Sequence, residues 1–224
     1  MVDEKKTPQP SRLLVVDDHS IVRHGLTALL SKEKDLAICG EAGSCEEARA
    51  AIKALEPDLL IVDITLKDGS GLDVIREARA ADPKVKALVL SMHDESVYAE
   101  KALRAGARGY VMKENADEDI VEAIRTVLRG ELYISTEVSA QMLREYIGEE
   151  AAGKTGIESL TERELQIFEC IGQGLSSRKI ADQFSLSTRT VEVHRAHIKR
   201  KLQCEDAAQV VREAVRWVEQ RSHG

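Results

Sequence analysis

Five apolar runs, each followed by an amphipathic segment, constrain the fold of this chain more than any other feature. The apolar runs lie near residues 12–16, 36–41, 59–63, 86–91 and 109–112. Helical patterns follow them near residues 20–31, 45–55, 71–81, 96–105 and 116–129. Regular alternation of strand and helix predicts a doubly wound parallel sheet with right-handed crossovers. The short, continuously apolar runs are typical of strands buried on both faces.

Polar side chains stand where four of these runs end. Asp17 and Asp18 follow the first run, and Asp63 ends the third. Ser91 ends the fourth run, and Lys113 follows the fifth. In an open parallel sheet, ligands bind beyond the carboxyl ends of the strands, so these five side chains should converge at one edge. Three carboxylates, a hydroxyl and an ammonium fit a divalent cation and a phosphoryl group.

The acidic residues have the composition of a magnesium site, since Mg²⁺ takes one or two carboxylates, waters and phosphate oxygens in a tight octahedron. We expect Asp18 and Asp63 to be direct ligands and Asp17 to hold a coordinated water. The backbone carbonyl of Thr65 is the expected further ligand. Asp63 lies between the acidic pair and the following loop, which makes it the predicted nucleophile, because a carboxylate can attack phosphorus to give an aspartyl phosphate.

Two side chains on neighbouring strand ends would assist that chemistry. The ammonium of Lys113 would neutralise charge on the transferring phosphoryl group, and Ser91 would donate a hydrogen bond to one of its oxygens. His19 and His93 border the same edge, where histidines are more often packing or surface residues than catalytic bases.

After Gly130 the pattern becomes helical throughout. A helix near 136–147 precedes a polar, glycine-rich stretch at 148–156, which has the composition of a linker. Thr161 and Glu164 then form the pattern of a capping box at the start of a helix. The predicted boundaries are a polar leader, not a signal peptide, a first domain, a linker helix with a flexible linker, and a second domain, at residues 1–10, 11–131, 132–157 and 158–224.

Residues 176–202 predict a helix-turn-helix, with a short helix, a turn at 185–187 and a longer basic helix. The longer helix places Val191 and Ile198 on its inward face. Residues 187–202 carry a net charge of +4, whereas the whole chain carries −7. A basic stripe confined to one element of an acidic protein is typical of DNA contact. Taken alone, the same run is also typical of a solvated helix face.

Predicted DNA contacts lie on the outward faces of the two helices. They are Ser177, Arg178, Lys179, Arg189, Thr190, Glu192, Val193, Arg195, Ala196, Lys199 and Lys201. The basic members suit phosphates, and Arg195 also suits guanine. Glu192 can accept a hydrogen bond from cytosine N4, while Val193 and Ala196 can meet thymine methyl groups.

Residues 12–130 resemble the receiver domain of response regulators in the segments VVDDHSIVRHGL, LLIVDITLKDGSGLDVI, ALVLSMHDE and RAGARGYVMK. Residues 158–220 resemble the LuxR-type DNA-binding domain in LTERELQIFECIGQGLSSRKIADQFSLSTRTVEVHRAHIKRKL. Together the two domains resemble the NarL/FixJ family of transcriptional response regulators over nearly the whole chain. The resemblance implies a five-stranded, flavodoxin-like parallel sheet joined by a helix and linker to a four-helix DNA-binding domain.

The resemblance implies that a sensor histidine kinase phosphorylates Asp63. It assigns Asp17 and Asp18 to Mg²⁺, and it assigns Ser91 and Lys113 to phosphate sensing. Tyr110 is implied as the aromatic residue whose rotamer reports the state of Ser91.

The resemblance also assigns dimerisation on DNA to the last helix, about residues 206–220, for which we expect contacts by Ala207, Val210, Val211 and Ala214. Two positions depart from the family pattern. Lys67 stands where a proline is usual, and Ser91 replaces the commoner threonine.

The sequence therefore predicts a cytoplasmic transcription factor that dimerises when phosphorylated and binds paired half-sites in the DNA major groove. We expect no enzyme activity beyond its own phosphorylation and dephosphorylation. The four cysteines lack metal-ligand spacing, and no apolar stretch approaches a membrane span. One alternative is a Mg²⁺-dependent phosphatase that uses Asp63, although the basic helices would then have no role. Another is a phosphorylation-independent DNA-binding regulator with a vestigial pocket.

Overall fold

The computed structural model describes residues 9–146, 156–184 and 186–221. The chain divides near residue 139 into two compact units. Most of the predicted polar leader, residues 148–155 of the predicted linker and Ser185 of the predicted turn lie outside the described residues. Within the described part of the chain, no helix is both long and apolar enough to cross a membrane.

The first unit alternates strands and helices close to the predicted positions. Its main elements are β1 (Ser11–Val16), α1 (Ser20–Leu30), β2 (Leu36–Ala42), α2 (Cys45–Leu55), β3 (Leu59–Val62), β4 (Thr65–Leu66), β5 (Gly69–Ser70), α3 (Gly71–Ala81), β6 (Lys86–Ser91), α4 (Glu95–Ala105), β7 (Gly109–Met112) and α5 (Ala116–Leu128). Helix α6 (Thr136–Tyr146) begins in this unit and continues into the second. Polar residues before three helices accept a hydrogen bond from a backbone N–H of the first turn, namely Ser44, Ser70 and Asp94.

Five of the strands form one parallel sheet in the order β2-β1-β3-β6-β7. All four residues of β3 are buried, because helices cover both faces of the sheet. On one face, Leu26 of α1 and Ile120 and Ile124 of α5 join the strands in a continuous apolar core. The predicted doubly wound parallel sheet is confirmed.

Two features of this unit are absent from the sequence prediction. Immediately after Asp63, β4 and β5 pair as a small antiparallel hairpin. At the outer edge of the sheet, Tyr133 pairs with β7 through its backbone. Its N–H donates to the carbonyl of Arg108 at 2.9 Å, and its carbonyl accepts from the N–H of Tyr110 at 2.8 Å. The segment before α6 is therefore fixed to the sheet.

The second unit is helical in its described residues, with α7 (Glu162–Gly172), α8 (Ser177–Gln183), α9 (Thr188–Lys201) and α10 (Ala207–Arg221). The predicted capping box of Thr161 and Glu164 is confirmed. Helices α7 and α10 pack closely, since a Cβ on Gly172 would lie 2.4 Å from the carbonyl oxygen of Ala214. Nearby, the rings of Phe168 and Trp217 are 5.8 Å apart between centroids.

Candidate functional site

The acidic pocket is built where β1 and β3 end side by side. The N–H of Asp17 donates to the carbonyl of Ala42, and the N–H of Asp63 donates to the carbonyl of Val16, so the sheet ladder fixes both residues. Four side chains could each offer one ligand atom to a metal ion, and these atoms all lie within 4.8 Å of one another. The residues are Asp17, Asp18, His19 and Asp63. The structure thus brings together the three predicted carboxylates at the carboxyl edge of the sheet.

Lys113 closes the pocket from β7. Its Nζ lies 2.6 Å from Asp63 Oδ2 and 2.7 Å from Asp17 Oδ2, and its side chain is almost fully buried. Burial by itself would lower the pKa of Lys113, but the charges and hydrogen bonds of Asp63 and Asp17 outweigh it and raise that pKa. The ammonium therefore stays charged and bridges the two carboxylates.

Asp63 is only 5% exposed. Burial raises the pKa of its carboxyl group, the neighbouring Asp17 charge acts in the same direction, and Lys113 opposes both. Its Oδ1 also accepts a 3.4 Å hydrogen bond from the N–H of Thr65. A further positive charge in the pocket would favour the ionised, nucleophilic form.

The carboxylate oxygens of this pocket fit a hard divalent cation as its ligands. Among the described residues, the buried Asp18 Oδ1 accepts no hydrogen bond of normal geometry, although His19 approaches it, and the buried Asp17 Oδ2 forms an ion pair with Lys113 at 2.7 Å. His19 Nδ1 lies 2.8 Å from Asp18 Oδ1, but its side chain is 63% exposed. Carboxylate oxygens are the ligands that Mg²⁺ prefers, so the residues present suit the predicted ion.

Strands β6 and β7 supply the other two predicted residues. Ser91 is fully buried, and its Oγ accepts from the N–H of His93 at 3.3 Å. Tyr110 is buried beside it, and its hydroxyl donates to the carbonyl of His93 at 2.7 Å. Burial raises the pKa of Tyr110 well above its usual value, whereas a hydrogen bond with Ser91 opposes that rise. The phenol therefore remains a neutral donor.

The helix-turn-helix of the second unit places most predicted DNA contacts at the surface. Ser187 caps α9 by accepting from the N–H of Thr190, and Val191 and Ile198 anchor the helix in the core. The opposite side is open, with Val193 48% exposed. The other predicted residues that are exposed are Arg178, Lys179, Arg189, Glu192 and Ala196, while Ser177, Thr190, Arg195 and Lys199 are partly exposed.

Three predicted residues of the second unit have partners inside it. Lys201 Nζ lies 2.6 Å from Oε2 of the capping residue Glu164, which directs this ammonium toward α7. Val210 and Ala214 are buried in the core of the unit. Among the four residues expected at a dimer contact, Ala207 and Val211 keep exposed side chains.

Two protein families match the chain. The family described as "Response regulator receiver domain" matches residues 13–125, and the one described as "Bacterial regulatory proteins, luxR family" matches residues 158–214. The chain is a two-component response regulator of the NarL/FixJ family. Its two matched segments lie within the receiver and DNA-binding ranges predicted from the sequence.

Similar proteins and structures agree with that assignment. "Oxygen regulatory protein NreC" of Staphylococcus carnosus (strain TM300) is 32% identical to this response regulator over 210 residues, with 92% of this chain and 97% of the relative covered. The NreC of Staphylococcus aureus (strain JH9) is 31% identical with the same coverage. A LuxR-family two-component response regulator from Aurantimonas sp. SI85-9A1 has a TM-score of 0.56 at 33% identity, covering 62% of this chain and 99% of that one.

RcsB from Salmonella typhimurium is similar in fold. One structure has a TM-score of 0.67 at 19% identity and covers 93% of this response regulator and 98% of RcsB. RcsB bound to promoter rprA with the phosphomimetic BeF₃⁻ has a TM-score of 0.62 at 20% identity, with 91% and 97% covered.

Several residues that shape the pocket of this response regulator were missed by sequence reasoning. A Cβ on Gly71 would lie 1.9 Å from the carbonyl oxygen of Asp63, so only glycine fits there. Arg23 donates to the carbonyl of Asp17 at 2.6 Å. Thr65 and His93 were both expected at this edge of the sheet, but the 2.9 Å hydrogen bond between Thr65 Oγ1 and His93 Nε2 was not predicted. The role of Gly71 could have been predicted from the sequence, because a glycine stands directly after the phosphoacceptor loop. The long-range side-chain hydrogen bonds leave no pattern in the sequence.

Proposed function

We propose that phosphorylation of Asp63 switches this response regulator to a form that binds DNA through α8 and α9. The observation that carries the proposal is the environment of Asp63. Its buried carboxylate shares one pocket with two other acidic residues, while the Lys113 ammonium lies 2.6 Å away. A structural aspartate capping a loop would need none of these neighbours.

The chemistry is a phosphoryl transfer from a phosphohistidine of a cognate sensor kinase. A carboxylate oxygen of Asp63 forms a bond to phosphorus while the phosphorus–nitrogen bond breaks, and the electron pair stays on the histidine nitrogen, which takes up a proton. Mg²⁺ held by Asp17, Asp18, Asp63 and the carbonyl of Thr65 would spread the charge of the transferring group.

Other residues of the pocket then contact the phosphoryl group on Asp63. Lys113 already touches the carboxylate, so its ammonium can follow the added phosphate oxygens without a large displacement. The Ser91 hydroxyl donates to one of those oxygens. Phosphorylation adds roughly −1.5 to −2 charges, which is enough to bias a two-state element. Tyr110, packed beside Ser91, responds to its position.

Binding to DNA uses the exposed side of the helix-turn-helix. Arg178, Lys179, Arg189 and Lys199 contact phosphates, while Glu192 meets base edges. A homodimer formed on phosphorylation reads two half-sites about one helical turn apart, with Ala207 and Val211 contributing to its contact. The protein works in the cytoplasm, and its own chemistry is limited to self-phosphorylation and autodephosphorylation.

The test combines light scattering with DNA binding, with and without Mg²⁺ and a small phosphodonor. We expect a monomer-to-dimer shift and tighter DNA binding in the wild type, and neither in Asp63→Asn. Asp73→Asn, an exposed aspartate on α3, serves as the matched control. Strong binding that ignores the phosphodonor would favour the phosphorylation-independent regulator. Repeated turnover of a small phosphate ester, lost in Asp63→Asn, would favour the phosphatase.

A further inference from the structure

The switch loop, defined as residues 91–95, joins β6 to the first turn of α4. At its end, Oε1 of Glu95 accepts a 2.8 Å hydrogen bond from the backbone N–H of Ser135, forty residues along the chain. Ser135 lies directly before α6, and its Oγ accepts from the N–H of Val138 at 3.2 Å. The first turn of α4 is thus bonded to the residue that caps α6.

The start of α6 has a second attachment, which is independent of the switch loop. Tyr133 is bonded through its backbone to Arg108 and Tyr110 at the edge of the sheet, and Val138 is buried. The chain from Tyr133 to Val138 is therefore bonded to β7 on one side and to the first turn of α4 on the other. Glu95 supplies the bond on the side that leads to the pocket.

The switch loop is also bonded to the phosphoacceptor pocket. The hydroxyl of Tyr110 holds the carbonyl of His93, and the His93 ring is hydrogen-bonded to Thr65, two residues after Asp63. Ser91, at the other end of the loop, is fully buried. Four peptide bonds separate Ser91 from Glu95. A displacement of Ser91 toward a phosphorylated Asp63 would therefore pull on a short loop whose other end is Glu95.

We propose that Glu95 is a positioning residue, which ties α6 to the switch loop in the resting protein and releases it on phosphorylation. This inference rests on the proposed phosphorylation of Asp63. Hydrogen bonds weaken steeply with distance and angle, so a loop displacement of about 1 Å breaks the bond to Ser135. Because the chain passes from the first unit to the second within α6, near residue 139, the first turn of α6 is the last part of the first unit along the chain.

Three substitutions at one position separate this tie from general effects on α4. Glu95→Ala and Glu95→Gln both remove the first-turn charge, but only Glu95→Gln keeps an acceptor for Ser135. Glu95→Asp keeps the charge and is too short to reach, so it replaces Glu95→Ala should the latter fail to fold. The readout is hydrogen exchange of residues 133–139 in the full chain, with phosphorylation of Asp63 measured separately by intact mass.

In the wild type, Mg²⁺ and acetyl phosphate should accelerate exchange at Ser135 by about tenfold or more, as expected for the loss of a hydrogen bond to a charged acceptor. Glu95→Ala and Glu95→Asp should exchange fast without the phosphodonor, and Glu95→Gln should remain responsive. Unchanged hydrogen exchange at Ser135 in a fully phosphorylated wild type would overturn the role of Glu95 but not the proposed function. Equal exchange rates in Glu95→Ala and Glu95→Gln would do the same. Absence of the phosphoryl group from Asp63 would instead overturn the proposed function, and the release step with it.

Discussion

Asp63 carries an electrostatic cost in the metal-free protein, because its ionised carboxylate is buried beside Asp17. Its folded pKa is raised above the ordinary value of 3.8, mainly by burial. The stability that this group contributes is therefore present at low pH and is lost as the pH rises through its folded pKa. Phosphoryl transfer requires the ionised carboxylate of Asp63, so the form that reacts is also the form that destabilises the fold.

Replacing Asp63 by asparagine should stabilise the metal-free protein by about 1 kcal/mol at neutral pH. The gain should shrink as the pH is lowered through the raised folded pKa of Asp63, where the wild-type carboxyl group takes up its proton. Chemical denaturation in EDTA measures it, with Asp73→Asn expected to change stability by less than about 0.5 kcal/mol. Addition of Mg²⁺ should stabilise the wild type more than Asp63→Asn, because the mutant lacks one ligand. If Asp63→Asn were less stable than the wild type in EDTA, the proposed electrostatic cost of the buried Asp63 carboxylate would be contradicted.

Two residues of α9 should affect DNA binding in different ways. Lys199→Ala should weaken binding to all sequences and reduce the salt slope by about one, since it removes one phosphate contact. Glu192→Ala should alter preference at one base position by about 1–3 kcal/mol with little effect on random DNA. Titrations of a selected duplex and a random duplex at several salt concentrations separate the two. Equal weakening of both duplexes by Glu192→Ala would refute its role in base recognition.

At the scale of elements, the pocket depends on how α3 begins. Gly71 starts this helix directly beneath Asp63, and its N–H donates to the carbonyl of Ile64 at 2.8 Å. The backbone of the helix can approach the phosphoacceptor only because no side chain intervenes. The preceding hairpin of β4 and β5 brings the chain back to that position.

Gly71→Ala should therefore cost about 2–4 kcal/mol of stability and weaken Mg²⁺ binding, because α3 must move away from Asp63. Gly25→Ala is the matched control. Gly25 lies inside α1, where an added Cβ would have no described atom outside its own helix backbone within 4 Å, so alanine there should stabilise the protein by about 0.5–1 kcal/mol. Denaturation curves and calorimetric Mg²⁺ titrations test both. A Gly71→Ala protein as stable as the wild type would show that α3 can shift freely.

The elements with a clear hydrophobic period could be predicted from sequence, and those fixed by single long-range bonds could not. The helix at Cys45–Leu55 and the strand at Gly109–Met112 have the predicted bounds. Two-residue strands such as Thr65–Leu66 contain no period to recognise. At the site, the carboxylates were predictable because the parallel sheet brings strand ends together. The contact of Lys201 with Glu164 depends on how two helices cross, which one sequence does not reveal.

At the scale of the whole molecule, the charges of the two parts have opposite sign. Residues 159–224 carry a net charge of +2, whereas residues 1–158 carry −9. DNA is therefore attracted by one part and repelled by the other over distances comparable with the Debye length. Because the two parts belong to one chain, the acidic part always accompanies the basic part when the full chain approaches DNA.

A separate chain of residues 156–224 should bind random DNA about tenfold more tightly than the full chain at low salt. The difference should diminish as salt rises from about 0.01 M to about 0.15 M, because the Debye length falls from about 30 Å to about 8 Å. Fluorescence anisotropy with a labelled random duplex measures both. Residues 1–139 added as a separate chain should have little effect. Equal affinities at every salt concentration would contradict this electrostatic account.

The packing of Trp217 against Phe168 has a spectroscopic consequence. Trp217 is the single tryptophan of the sequence, and it lies on α10, in the second unit. Receiver tyrosines emit weakly beside it, so emission excited at the red edge comes from the DNA-binding unit alone. A change in that emission that a phosphodonor causes in the wild type and not in Asp63→Asn reports a signal from the receiver to the second unit. The unlabelled protein thus contains its own optical reporter of interdomain signalling.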